Sequence, residues 1–173
     1  MIEIEAKVRA PDPGAVRSRL FALGATHTGT ETQRDVYYSP RDRDFARTDE
    51  ALRIRYDGSK VTVTYKGPKS GASTYKARRE INLGVDAGDA CEELFSALGF
   101  TRSAEVCKER ETYSIRGAVV SLDEVRGLGS FVEIEVCTGH DDGSAAALID
   151  GLKNELGLTG PHIQESYLEL LLA

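Results

Sequence analysis

The feature that most constrains this chain is a strict alternation of apolar and charged residues, which opens the sequence and recurs along it. In residues 2–8, IEIEAKV, four apolar residues alternate with Glu3, Glu5 and Lys7. Successive side chains of a strand point to opposite faces, so one face of this strand is apolar and must face a core. The opposite face is charged, and it lies either in water or around something that requires charge.

Later strands carry similar rows, and the sign of the charge is segregated by strand. Apart from Glu3 and Glu5, the main rows are Arg53 and Arg55; Lys60 and Lys66; Arg78 and Glu80; Lys108 and Arg110; Asp123; and Glu133 and Glu135. Any single row is explained by a purely structural sheet whose outer face is exposed to solvent. Like charges side by side on one face repel, however, so the whole set costs stability unless something compensates.

The two kinds of row suit two kinds of ligand. Neighbouring carboxylates favour hard divalent cations such as Mg²⁺ or Mn²⁺. Neighbouring lysines and arginines favour a polyanion, because guanidinium groups match the geometry of phosphate oxygens. A site that holds both should bind a metal–polyphosphate complex. The pattern therefore predicts strands closed around a polar interior, with helices covering the apolar faces.

Composition limits the class of protein. The chain has 173 residues, 40% of them hydrophobic and 29% charged, which predicts one domain over residues 1–173. A net charge of −6 argues against nucleic acid or a membrane surface as partner. Three cysteines without CxxC spacing and no visible signal segment favour a cytoplasmic protein. The three histidines are scattered, which predicts structural or surface roles.

The remaining elements follow from local signals. Asp12, Pro13 and Gly24 predict the start and end of a first helix. A second helix is expected to begin at Asp86 or Asp89 and to bury Cys91, Leu94, Phe95 and Leu98, and a third to run from about 144 to 156. Residues 57–59 predict a hairpin, residues 67–73 a mobile loop, and residues 165–173 a docked C-terminal segment.

Together these rows resemble the CYTH proteins, or triphosphate tunnel metalloenzymes, which include class IV adenylyl cyclases, thiamine triphosphatases and inorganic triphosphatases. The family hallmark is an ExExK strand at the extreme N-terminus, matched here by Glu3, Glu5 and Lys7. The motifs LRIR, TYKG, RRE, KER and LDEVRGLGSFVEIE follow in order, so the resemblance covers essentially the whole chain. It implies an α+β fold, a closed antiparallel β-barrel-like tunnel of about eight strands with helices packed outside.

The resemblance also implies roles for the charged rows. Metal-binding carboxylates for Mg²⁺ or Mn²⁺ would be Glu3, Glu5, Asp123, Glu133 and Glu135. The triphosphate clamp would comprise Lys7, Arg53, Arg55, Lys66, Arg78, Lys108 and Arg110. Lys7 and Glu5 would be catalytic, with Lys7 between the two groups, where it contacts phosphate or positions the nucleophile. Glu80 would be either a further ligand or an ion-pair partner that orients Arg78.

Two activities fit this machinery. LDEVRGLGSFVEIE and ESYLELL are most similar to the class IV cyclase-like branch, which implies conversion of ATP to cyclic AMP and pyrophosphate. The alternative is a triphosphatase that hydrolyses thiamine triphosphate, tripolyphosphate or a nucleoside triphosphate. A non-catalytic nucleotide- or polyphosphate-binding module ranks lower, because its carboxylate pairs would be broken and here they are intact. Family members often form homodimers, which the resemblance extends to this chain.

Overall fold

The computed structural model describes residues 2–69, 78–139 and 143–173, without the side chains of Ile2, Lys69 and Arg78. The described strands are β1 Ile2–Arg9, β2 Thr26–Ser39, β3 Ala51–Asp57, β4 Lys60–Lys69, β5 Arg78–Val85, β6 Thr101–Ile115, β7 Ala118–Val125 and β8 Gly129–Thr138. The described helices are α1 Pro13–Ala22, α2 Gly88–Ala97, α3 Ser144–Glu155 and α4 Tyr167–Leu172.

The eight strands form one antiparallel sheet in the order β1-β8-β7-β6-β2-β3-β4-β5. The sheet curls until its two outermost strands meet, and Glu3 on β1 lies beside Lys66 on β4 and Glu80 on β5. This confirms the expected eight-stranded antiparallel tunnel with helices outside. In the described part of the chain, β1 and β5 make contact without a ladder of backbone hydrogen bonds between them.

The helices cover the apolar faces of the strands, and this turns the charged rows inward. Helices α1 and α3 supply Leu20 and Ile149 to a core that includes Ile4 and Val8 on β1 and Val120 on β7. Helix α2 packs Phe95 against a second core over β2 and β3, formed by Val36, Tyr38 and Ile54. Period-2 alternation then places the opposite face of each strand around the interior.

The first helix and the hairpin follow the sequence signals. The Asp12 carboxylate accepts a hydrogen bond from the Ala15 amide at 3.0 Å, Pro13 is the first helical residue, and Gly24 after the helix has φ +79°. A two-residue loop joins β3 to β4, and Gly58 supplies the positive φ that it needs.

Helix α2 departs from expectation at its start and on its buried face. It begins at Gly88 rather than at Asp86 or Asp89, and a Cβ at residue 88 would lie 2.4 Å from the Tyr56 ring. Glu92 faces the sheet, where it accepts hydrogen bonds from Tyr38 and Tyr56. That orientation turns two residues of the expected apolar face outward, leaving Leu94 54% and Leu98 65% exposed.

Two predictions fall partly or wholly outside the described residues. The loop prediction for residues 67–73 includes 70–73, and the clamp prediction for Arg78 concerns a side chain that the structure does not describe. None of the helices in residues 2–69, 78–139 and 143–173 is long and apolar enough to span a membrane.

Candidate functional site

A cavity of about 550 Å³ opens inside the curled sheet, and charged side chains line much of its wall. The inward rows of seven strands, β1 to β6 and β8, supply most of these side chains, because every second residue of each strand points to this face. The predicted site residues among them are Glu3, Glu5, Lys7, Arg53, Arg55, Lys66, Glu80, Lys108, Arg110, Glu133 and Glu135. The sequence therefore predicted which rows meet, although they are spread over more than 130 residues.

Among the predicted site residues whose side chains the structure describes, Asp123 is the one that does not line the cavity. Its side chain has 0% exposure and accepts four hydrogen bonds from the tunnel lining. The donors are Lys108 Nζ at 2.9 Å, Arg110 Nε at 2.6 Å, Arg110 Nη2 at 2.5 Å and the Tyr167 hydroxyl at 2.8 Å. In this arrangement Asp123 fixes the side chains of Lys108 and Arg110 from outside the cavity.

Four cationic side chains form what we call the basic clamp: Arg53, Arg55, Lys108 and Arg110. Burial and the neighbouring Arg110 lower the pKa of the Lys108 ammonium to about 8, against the opposing effect of Glu133 and Asp123. The carboxylate of Glu133 lies between Arg110, with which it forms a hydrogen-bonded ion pair, and Lys7 Nζ at 3.3 Å. Each of these cations is thus held in place by protein carboxylates before any ligand arrives.

Four carboxylates form an acidic cluster in the same cavity: Glu3, Glu5, Glu80 and Glu135. Glu5 and Glu135 are directly paired across β1 and β8. Burial, Glu135 and Glu80 together raise the pKa of the Glu3 carboxyl to about 8, although Lys66 opposes them. Burial also raises the pKa of Glu135. The carboxylates are therefore crowded, and a divalent cation between them would remove the mutual repulsion.

Glu80 was expected to be either a further metal ligand or an ion-pair partner that orients Arg78. Its carboxylate forms an ion pair with Lys66 Nζ at 2.7 Å, and Glu3 also hydrogen bonds to it.

Among the described residues, no three His, Cys, Asp or Glu side chains already surround a single point closely enough to coordinate an ion. The acidic cluster has the oxygen donors that Mg²⁺ or Mn²⁺ requires, and their carboxylates would move together on binding.

Lys7 lies between the two groups of charges, as expected from the ExExK motif. Its ammonium is 3.9 Å from Glu5 Oε1, donates to the Glu165 carbonyl at 3.1 Å and lies 4.2 Å from the centre of the Tyr167 ring. The C-terminal segment therefore helps to fix this lysine at the boundary between carboxylates and cations.

Comparison with known proteins identifies the family. The sequence profile of the CYTH domain matches residues 1–167. The chain belongs to the CYTH family. It is 40% identical over 135 residues to a Methanocaldococcus jannaschii protein provisionally named an adenylate cyclase, covering 78% of this chain and 77% of that one.

Solved structures share the fold of this chain. The PH1819 protein from Pyrococcus horikoshii superposes with a TM-score of 0.85 at 37% identity, covering 98% of both chains. A Hippeastrum protein described as a candidate adenylyl cyclase with a dominant triphosphatase activity shares the fold at 22% identity, with a TM-score of 0.77 over 98% of this chain and 95% of that one.

Sequence reasoning missed Asp35 in this CYTH tunnel. Its buried carboxylate accepts two hydrogen bonds from Arg55, both at 2.7 Å, and one from Arg53 at 3.3 Å. Burial would raise the pKa of Asp35, but the two arginines outweigh it and lower that pKa to about 2. A signal existed, because Gln33 and Asp35 form a polar row on β2 at the spacing used for the other strands.

Tyr167 was also missed as an individual residue, although its segment was noted. The ring lies against Lys7 and Lys108, and the hydroxyl donates to Asp123. No spacing rule in the strands points to a residue so far along the chain. The apolar run of ESYLELLLA suggested docking, and only the three-dimensional structure shows that the docked residue enters the tunnel.

Proposed function

We propose that this CYTH protein is a metal-dependent enzyme that binds ATP in the tunnel and converts it to cyclic AMP and pyrophosphate. The observation that carries the proposal is the presence of a basic clamp and a crowded acidic cluster in one cavity. A polyphosphate satisfies the first and a divalent cation the second, so a metal–triphosphate complex satisfies both.

Glu3, Glu5 and Glu135 are the residues proposed to hold Mg²⁺ or Mn²⁺. Their carboxylates face the cavity, whereas Asp123 is fully occupied by Lys108, Arg110 and Tyr167. A bound ion supplies charge neutralisation on the triphosphate and activation of the nucleophile. Asp123 and Glu133, expected from the resemblance as further ligands, act in this proposal by orienting Lys7, Lys108 and Arg110.

The basic clamp holds the triphosphate in line, with Lys66, Lys7 and Arg78 extending it. Two buried aspartates pre-organise the clamp, Asp35 beneath Arg53 and Arg55, and Asp123 beneath Lys108 and Arg110. Cations fixed in advance stabilise developing negative charge without reorganising during the reaction. In cyclisation the ribose 3′-hydroxyl gives its proton to solvent as its oxygen bonds to the α-phosphorus. The bond from that phosphorus to the oxygen bridging the α- and β-phosphorus atoms breaks, and pyrophosphate leaves with that oxygen.

Triphosphate hydrolysis is the second candidate function. The clamp and the acidic cluster engage only the triphosphate, so the same residues serve when water attacks the γ-phosphorus. The Hippeastrum protein of this fold is described as having a dominant triphosphatase activity. A non-catalytic binding module fits less well, because binding alone does not require the crowded carboxylates of the acidic cluster.

Product analysis tests the proposal. The purified protein would be incubated with Mg²⁺ or Mn²⁺ and, separately, with ATP, thiamine triphosphate and tripolyphosphate, and the products separated by chromatography. Cyclic AMP with pyrophosphate is the expected result. Orthophosphate with a diphosphate would support the triphosphatase instead, and unchanged substrate in all three reactions would contradict both enzymatic readings.

A further inference from the structure

Two lysines of the tunnel lie against one aromatic ring. The ammonium nitrogens of Lys7 on β1 and Lys108 on β6 are 4.2 Å and 4.9 Å from the centre of the Tyr167 ring. The face of an aromatic ring attracts a cation at such distances. In the sheet order, β8 and β7 separate β1 from β6, so no direct strand pairing sets the distance between these two side chains. The Tyr167 ring is a contact that they share.

The hydroxyl of Tyr167 adds a second hold on Lys108. It donates to Asp123 Oδ2 at 2.8 Å, and Lys108 Nζ donates to the same oxygen at 2.9 Å. The Asp123 side chain is fully buried, so its carboxylate is a fixed point of the tunnel wall. Ring and hydroxyl together therefore tie Lys108 to Asp123 and bring Lys7 to the same tyrosine.

Tyr167 is itself held by its surroundings. It is 7% exposed, and its ring packs edge-on against Phe131 with 5.0 Å between the ring centres. Ser166 caps α4 directly before it, and the backbone amide of Ile163 donates to the Lys7 carbonyl at 2.8 Å. Packing and backbone hydrogen bonds thus fix the position of the ring, which can serve as a reference for the lysines.

The chemistry of Tyr167 points to position rather than to proton transfer. Burial and the neighbouring carboxylates of Glu133 and Asp123 raise the pKa of its hydroxyl well above the usual range. The proton therefore stays on the hydroxyl, where it is used in the hydrogen bond to Asp123. What the residue supplies to the tunnel is the place of its ring.

We propose that Tyr167 is a positioning residue, whose ring fixes the separation of Lys7 and Lys108 and so aligns the bound triphosphate complex for reaction. The inference rests on the proposed function, in which Lys108 belongs to the basic clamp and Lys7 lies at its boundary with the acidic cluster. A misplacement of about 1 Å can cost about a hundredfold in rate. Without the ring both lysines keep their charge, so the loss falls on kcat rather than on binding.

Three variants test this role. Tyr167→Leu removes the ring, whereas Tyr167→Phe keeps the ring and removes only the hydroxyl. Tyr113→Phe is the matched control, because Tyr113 is also buried and donates to a carboxylate, that of Glu111, outside the cavity. We would measure kcat and KM for whichever of ATP, thiamine triphosphate and tripolyphosphate the wild type converts fastest, per mole of folded protein. Metal-free binding of tripolyphosphate would be measured by calorimetry.

The variant without the ring should lose about thirtyfold or more in kcat, while its KM and its Kd for tripolyphosphate change less than about threefold. The kcat of Tyr167→Phe should stay within about threefold of the wild-type value, and Tyr113→Phe should leave kcat unchanged. If Tyr167→Leu fails to fold, Tyr167→Met removes the ring while refilling its space and carries the same expectation.

The inference is overturned if a folded variant without the ring keeps its kcat, if its affinity falls as far as its kcat, or if Tyr167→Phe loses as much as Tyr167→Leu. A wild type that converts none of the three triphosphates overturns the proposed function and this inference with it. Turnover by the wild type with an unchanged kcat in Tyr167→Leu overturns the inference alone, so the two failures are distinguishable.

Discussion

The basic clamp and the acidic cluster line the same cavity but differ in how their charges are compensated. Each cation of the clamp contacts a carboxylate that faces it from the tunnel wall, as Arg55 does with Asp35 and Arg110 with Asp123. In the acidic cluster Lys66 pairs with Glu80 and Lys7 lies 3.9 Å from Glu5, but burial, Glu135 and Glu80 still raise the pKa of Glu3 to about 8 against the effect of Lys66. The comparison indicates that the protein builds its phosphate site in advance and leaves part of the negative charge of its acidic cluster to be balanced by a bound cation.

The largest expected effect comes from removing a carboxylate of the acidic cluster. Glu135→Ala, or Glu5→Ala, should lower turnover of the triphosphate by about a thousandfold or more, because metal-assisted charge stabilisation is lost. The melting temperature should not fall, since deletion relieves repulsion. Steady-state rates and thermal melts would be compared with those of Glu109→Ala, an exposed β6 carboxylate outside the cavity. Wild-type rates in both cluster variants would contradict the proposed metal ligands.

A buried anchor of the basic clamp should behave in the opposite way. Asp35→Asn leaves Arg53 and Arg55 without their anionic partner and should lower the free energy of unfolding by about 2 kcal/mol, with a weaker triphosphate affinity. Chemical denaturation and calorimetric titration with tripolyphosphate would measure the two effects. An unchanged unfolding midpoint together with unchanged affinity would show that Asp35 anchors nothing.

A smaller effect is expected when a clamp residue keeps its charge and loses its shape. Arg55→Lys cannot reproduce the two hydrogen bonds to Asp35 and should raise the KM for the triphosphate by about tenfold. Arg34→Lys, on the outer face over the Tyr56 ring, is the matched control and should leave KM unchanged. Equal KM values for wild type and Arg55→Lys would mean that charge alone suffices.

The smallest effects should appear in the pH dependence of stability. The buried anchor of the basic clamp and the acidic cluster should change the free energy of unfolding in opposite directions as the pH rises. Asp35 has a pKa lowered to about 2, so its stabilising effect is present above its unfolded pKa near 4 and is lost as the pH falls toward 2. Glu3 has a raised pKa, so the metal-free protein should lose stability as the pH rises from about 4.5 through 8.

Thermal melts in a chelator between pH 5 and pH 8 would measure the second effect. Glu3→Gln should flatten the curve over this range, and Mg²⁺ should restore stability at the alkaline end. A wild-type melting temperature that rises steadily from pH 5 to pH 8 without metal would contradict the assignment of Glu3 to a crowded cluster.

Much of the fold could be predicted because it depends on local alternation. The strand predicted over residues 2–8 matches β1, Ile2–Arg9, to within one residue, and inward rows such as Arg53 with Arg55 follow from parity alone. The prediction that Leu94 and Leu98 lie on the buried face of α2 was wrong. Hydrogen bonds from Tyr38 and Tyr56 to Glu92 decide the rotation of the helix, and these tyrosines come from a distant part of the chain.

The site was harder to predict where partners come from remote segments. The resemblance grouped Asp123 with the metal ligands, but the structure buries it behind Lys108 and Arg110. The contacts of Tyr167 with Lys7 and Asp123 join residues at opposite ends of the sequence, which no periodicity encodes. Spacing predicts which way a side chain points, whereas the identity of its partner depends on tertiary packing.

The most direct test of the account is the metal dependence of ATP turnover by the wild-type protein. Products would be quantified by chromatography in a chelator and then after addition of excess Mn²⁺ or Mg²⁺. The account predicts no product above background in the chelator and full turnover once the divalent cation is added. Equal rates of ATP conversion with and without the cation would contradict the division of the tunnel into a metal-binding acidic cluster and a phosphate-binding clamp.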